Sequence, residues 1–122
     1  MNRILSAVGV TLLALTLASC GGDESEPAAV AVPDDAVILD VRTAAEYAEG
    51  HLEGAELLDF TGGDLSAALP TLDPDTEYLV YCASGNRSGQ AVALMAEAGL
   101  TEVTDLGGIN EAAETTELSI VR

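Results

Sequence analysis

Lysine is absent from this 122-residue chain, and four arginines face 21 acidic residues, for a formal charge of −17. So little positive charge excludes a nucleic-acid partner, because clustered Lys and Arg carry such contacts. It also excludes electrostatic attraction to anionic lipid, so any membrane attachment must be covalent. The acid excess is read as a solubility device. No internal repeat is present, which leaves one domain at this length, and 48% hydrophobic residues suffice for a core. The apolar stretch from Ile4 to Leu17 falls short of a comfortable transmembrane span. Cysteine occurs only twice, at positions 20 and 82.

The N-terminus opens with Arg3, continues with that apolar stretch and closes on small residues, in the order of a secretory signal. A buried N-terminal helix is the other reading. Two cysteines in an exported chain would ordinarily suggest one disulfide. However, Leu17-Ala18-Ser19-Cys20 resembles the lipobox of bacterial lipoproteins. That resemblance implies cleavage after residue 19, lipidation of Cys20 and an extracytoplasmic, lipid-anchored protein. Losing residues 1–19 removes Arg3 and no acid, so the remainder is one unit more negative. Cys82 is then a lone, reactive thiol.

Residues 20–35 are Gly-, Pro- and acid-rich and are expected to be a flexible tether, with the folded domain spanning 36–122. The β-branched run 36–41 and "YLVYC" at 78–82 read as buried strands. Stretches 54–60 and 102–106 are further strand candidates, the latter broken by Gly107-Gly108. Thr43 and Glu46 have the spacing of a capping box that opens a helix closing at Gly50. A second helix is expected from Asp64 to about Pro70. A third is expected over 87–98, with Ala91, Leu94, Met95 and Ala98 as its apolar stripe and Gly99 as its stop. A short helix over 109–113 and a weak tail element complete the chain. Strands alternating with helices predict an α/β fold: a doubly wound, open parallel sheet of about five strands with helices on both faces. Sites on such sheets lie at the C-terminal strand ends, where both Asp40 and Cys82 fall.

Cys82 sits between a strand and a helix. Unpaired amides and the positive end of the helix dipole should point at it. Ala83, Ser84, Gly85, Asn86 and Arg87 can curl so that their N–H groups converge on the sulfur. Gly85 supplies the position expected to need positive φ. Arg87 is the one charged residue between Glu77 and Glu97. These features favour thiolate over thiol. The alternative is a buried, inert cysteine at a strand end.

Asp40-Val41-Arg42, Glu46-Tyr47, Gly50-His51-Leu52-Glu53-Gly54-Ala55, Cys82 to Ser88 and Leu106-Gly107-Gly108-Ile109 together resemble rhodanese-like domains, in order, over roughly 36 to 112. The resemblance is strongest to exported single-domain members. It implies a doubly wound α/β fold and transfer of sulfane sulfur through a Cys82 persulfide. The donor is of the thiosulfate type, a small sulfur-containing anion, and the acceptor is cyanide or a thiol; neither cofactor nor metal takes part. By position, Cys82 is the nucleophile. Arg87 binds substrate or steadies the loop, and Ala83, Ser84, Gly85, Asn86 and Ser88 complete the substrate-binding loop. Four residues separate Cys82 from Arg87, where cysteine phosphatases have five, so a sulfur site is implied instead of a phosphate cradle.

Asp40, Arg42, Glu46 and His51 are read as structural support, since a thiolate already ionised by its surroundings needs no general base. Ala83 and Ser84 stand where many members carry a basic residue, and Ala112 where many carry tryptophan. A non-catalytic or redox- or sulfide-sensing binding module would use the same residues.

Overall fold

The computed structural model describes residues 29–122. The Cys20 motif, the apolar stretch before it and most of the expected tether lie outside the described residues.

Four strands form one parallel sheet: β1 (Val37–Asp40), β3 (Glu56–Leu57), β4 (Tyr78–Cys82) and β5 (Val103–Gly108), in spatial order β3-β1-β4-β5. The sheet has four strands among the described residues, where about five were expected. The remaining extended residues, β2 (His51–Leu52) and β6 (Ile120–Val121), pair antiparallel with each other off the sheet.

β4 is buried throughout, and its side chains alternate with the pleat. Tyr78, Val80 and Cys82 face one core with Leu39, Val41, Leu65, Ala91 and Met95. Leu79 and Tyr81 face the other with Ile38, Leu52, Ala55, Leu106 and Ala112. Both faces of the central strand are apolar because both are covered, the expected state of a doubly wound sheet.

The helices follow their local signals. In α1 (Ala44–Glu49) the capping box forms: the Glu46 amide donates to Thr43 Oγ1 and the Thr43 amide donates to Glu46 Oε1, both at 3.3 Å. α2 (Asp64–Ala68) passes into a 3₁₀ turn over Leu69–Thr71 that holds Pro70. In α3 (Asn86–Glu97) Ala91 and Met95 are buried and Leu94 half-buried. Ala98, expected on the stripe, is exposed because the helix ends before it and Leu100 takes the core position instead. α4 (Ile109–Thr116) runs past the expected 109–113.

Two further expectations are corrected. Gly107-Gly108 do not break the strand. β4–β5 pairing shifts register between Val80 and Tyr81, so Leu106 is an extra residue and β5 continues through both glycines. The tether is also shorter than expected. The Val30 amide donates to the Thr115 carbonyl at 2.8 Å, and Val30, Val32 and Ala36 pack on the second core, so the folded body begins before residue 36.

Candidate active site

β4 ends at Cys82 and α3 starts at Asn86, so three residues turn the chain through the strand–helix junction. Gly85, with φ +96°, makes the turn in the left-handed region that glycine tolerates without cost. Its amide donates to Cys82 Sγ at 2.9 Å. The amides of Ser84 and Ser88 also act on the sulfur. Ser88 is the third residue of α3, so its N–H is one of the helix's orphan donors, and the sulfur takes the place of a capping oxygen. Ser88 Oγ lies 3.5 Å from Sγ and 3.1 Å from the Gly85 carbonyl. The thiol can donate to that hydroxyl, and once the sulfur is ionised the hydroxyl can rotate to donate to it. Burial opposes ionisation most strongly, but the Ser88 hydroxyl and the three amides outweigh it and bring the thiol below its ordinary value.

The loop is closed from behind by the bulged end of β5. A β-carbon on Gly108 would stand 2.7 Å from the Ala83 carbonyl oxygen, so only glycine permits this approach. Cys82 has no exposed surface, while Ala83 and Ser84, which follow it in the loop, are exposed.

Arg87 does not point at the sulfur. Its Nη1 and Nη2 donate to Glu46 Oε1 and Oε2 at 2.8 and 2.9 Å, a bidentate pair that ties α3 to α1. Arg87, then the capping contacts with Thr43, hold the Glu46 carboxyl down to about 2. The Glu46 contact, with weaker fields from Cys82 and Asp59, raises the Arg87 guanidinium. Asn86 is exposed, and its side chain accepts from Gln90 Nε2 at 3.1 Å.

Asp40 and Arg42 form a second, buried pair. Arg42 donates to Asp40 through its amide, Nε and Nη2, at 2.7–3.1 Å, and Nη2 also donates to the Gly50 carbonyl at 2.6 Å. Tyr81, which sequence reasoning passed over as a core residue, belongs to this pair. Its hydroxyl donates to Asp40 Oδ2 at 2.8 Å and accepts from the Leu52 amide at 3.0 Å. Burial comes first among the influences that push this phenol's pKa up. A tyrosine immediately before the cysteine was the available signal. His51 stacks on Tyr47 at 3.7 Å between ring centroids, and its Nδ1 is 2.9 Å from the Tyr47 carbonyl oxygen. Asp40 thus reaches the residue before Cys82 through Tyr81, while the hydrogen bonds of Arg42 and His51 go to Asp40, Gly50 and Tyr47 and not to the sulfur.

The Rhodanese-like domain family model matches residues 28–115. The chain is 32% identical over 75 residues to thiosulfate sulfurtransferase PspE of Escherichia coli, covering 62% of this chain and 72% of that protein. It is 32% identical over 85 residues to a sulfurtransferase of Allochromatium vinosum, covering 70% and 78%. A rhodanese-like domain from Anabaena superimposes with a TM-score of 0.62 at 29% identity, covering 71% of this chain and 99% of that one.

Proposed function

The chain belongs to the rhodanese-like family, and from that premise we propose that it is a sulfurtransferase working through a persulfide on Cys82. The observation that carries this reading is the convergence of the Gly85 amide, at 2.9 Å, the Ser84 and Ser88 amides and the Ser88 hydroxyl on one sulfur. Such a cradle stabilises a thiolate before reaction and the negative outer sulfur of a persulfide after it, as an oxyanion hole stabilises oxygen.

In the first step the Cys82 thiolate attacks the sulfane sulfur of a donor such as thiosulfate. An Sγ–S bond forms, the donor S–S bond breaks, and sulfite leaves with the electron pair. Three negative charges enter and three leave. In the second step cyanide attacks the outer sulfur, thiocyanate departs and the thiolate returns; a thiolate acceptor would leave as its own persulfide. Neither step needs a general base.

The reading includes attachment to a membrane through acyl chains on Cys20, with the domain on the extracytoplasmic side. Leu17 to Cys20 and the apolar stretch before them support it.

One observation favours a second reading, a sensing or docking module: Cys82 is fully covered, so a donor reaches it only if the residues around it yield. Intact-mass spectrometry of the reduced chain exposed to thiosulfate separates the two. A gain of one sulfur atom, reversed by cyanide and missing in Cys82→Ser, is expected. No gain, with a thiol that titrates as an ordinary cysteine, would make the module the better account.

A further inference from the structure

Every arginine among the described residues is already engaged. Arg42 lies against Asp40, Arg122 Nε donates to the Glu49 carbonyl at 2.8 Å, and both terminal nitrogens of Arg87 are turned onto Glu46. The chain has no lysine. The loop between Cys82 and Arg87 adds no cation, being Ala83, Ser84, Gly85 and Asn86. A second carboxylate, Asp59, also acts on the Arg87 guanidinium. Glu46 is held toward Arg87 from behind, since Thr43 donates to Oε1 through its amide at 3.3 Å and its hydroxyl at 3.1 Å. The arginine nearest the cysteine loop is therefore neutralised by a carboxylate that is itself clamped.

We propose that Glu46 is a specificity-determining residue: by holding Arg87 it makes the cysteine cradle select sulfane-sulfur donors bearing one negative charge over donors bearing two. The inference rests on the sulfurtransferase reading above. Its physical basis is that a donor's penalty or gain in a local potential scales with the donor's charge. A neutral Arg87–Glu46 pair offers no compensation for a second charge, and the thiolate and Asp59 oppose it. Neutralising Glu46 would leave the guanidinium opposed only by the weaker field of Asp59, and that net positive charge next to the cysteine loop would favour the dianion.

Thiosulfate and methanethiosulfonate make the test. Both present a sulfane sulfur on a sulfonyl centre, but the second has a methyl group in place of one anionic oxygen. With methanethiosulfonate the Cys82 thiolate takes the outer sulfur and methanesulfinate leaves with the electron pair, two negative charges on each side. The ratio of kcat/KM for the two donors, with cyanide as acceptor, is compared across wild type, Glu46→Gln, Arg87→Ala and the double variant. Glutamine at position 46 keeps an acceptor for the Thr43 amide, so the helix cap survives.

Glu46→Gln should move the ratio toward thiosulfate by about 3- to 10-fold, the size of one partly screened unit charge. Arg87→Ala, which leaves Glu46 uncompensated, should move it the other way. The double variant should return near the wild-type ratio. A Glu46→Gln ratio equal to wild type, with both donors slowed alike, would show that Glu46 only supports the fold and would overturn the proposal. A double variant as poor toward thiosulfate as Arg87→Ala would show that Arg87 serves the donor directly, and would overturn it too. The Arg87→Ala arm stands by itself should Glu46→Gln fail to fold: an unmoved ratio there sinks the idea. If neither donor loads a sulfur onto wild-type Cys82, the sulfurtransferase reading fails and this inference with it; loading by both donors with immobile ratios removes the inference alone.

Discussion

Tyr81 and Asp40 are joined across neighbouring parallel strands, the phenol donating to the carboxylate at 2.8 Å one residue before the sulfur-bearing position. The same oxygen accepts from the Leu52 amide at 3.0 Å, so one hydroxyl links β1, β4 and β2. Cys82 is thereby carried on a strand end that is bonded on one face and packed against α3 on the other.

Tyr81→Phe should lower stability by about 1–3 kcal/mol, because the Leu52 amide loses its partner in a buried place. Urea unfolding measures this. An unchanged midpoint would mean that water replaces the hydroxyl and that the link is dispensable. Asp40 keeps its three donors from Arg42, so folding should persist.

Ser88→Ala should raise the Cys82 thiol pKa, since it removes the hydroxyl that opposes the effect of burial. Alkylation by iodoacetamide as a function of pH reports it: the wild-type profile should lie to the acid side of an ordinary cysteine and the variant to the basic side of wild type. The linked effect on stability has a definite sign. A thiol depressed on folding stabilises the protein above its unfolded pKa, near 9, and this contribution fades as pH falls through the folded value. The stability difference between wild type and Ser88→Ala should therefore shrink on acidification across that window.

Gly85→Ala and Gly108→Ala should both impair sulfur loading, for different reasons. At Gly85 a β-carbon meets Gly107 Cα at an ordinary 3.5 Å, so the cost is the left-handed backbone, about 1–2 kcal/mol. At Gly108 φ is −75° and unstrained, but the β-carbon would collide with the Ala83 carbonyl at 2.7 Å. Gly108→Ala should therefore displace the loop and slow alkylation and loading by at least about 10-fold, one 1.4 kcal/mol step. Gly85→Asn, which accepts positive φ, should recover part of the Gly85→Ala loss; the Gly108 site should discriminate by size alone.

Added salt should raise kcat/KM for thiosulfate, by about two- to fivefold between low and physiological ionic strength, because an anionic donor approaches a chain of formal charge −17. A steady fall instead would show that attraction to the cradle dominates the approach.

Much of this architecture was legible because its causes are local. The Thr43–Glu46 spacing carries the local signal of a capping box, and "YLVYC" has the short unbroken apolar pattern of a strand buried on both faces; both form. The sulfur loop was readable in part: a cysteine, a glycine and a helix start within a few residues place backbone donors near the sulfur, but of the expected run Ala83 to Arg87 the amides of Ser84 and Gly85 act on it, joined by that of Ser88. The number of strands was not readable. Two-residue strands such as β2 and β3 carry too little pattern to reveal whether they join the sheet or pair elsewhere. Gly107-Gly108 read as a break because glycine weakens a strand on average. Their actual use is a bulge and a close approach to Ala83, set by a segment more than twenty positions away in the chain.

By itself the sequence determined the α/β alternation, the helix caps, the acidic surface and the thiol at a strand-to-helix turn, since each depends on neighbours within a few residues or on composition. Only the tertiary structure decided which arginine neutralises which acid. Glu46 and Arg87 stand 41 positions apart, as do Asp40 and Tyr81. Long-range pairs of this kind are chosen by how strands and helices pack, because a charge taken out of water must find its partner wherever the fold brings one within hydrogen-bond reach.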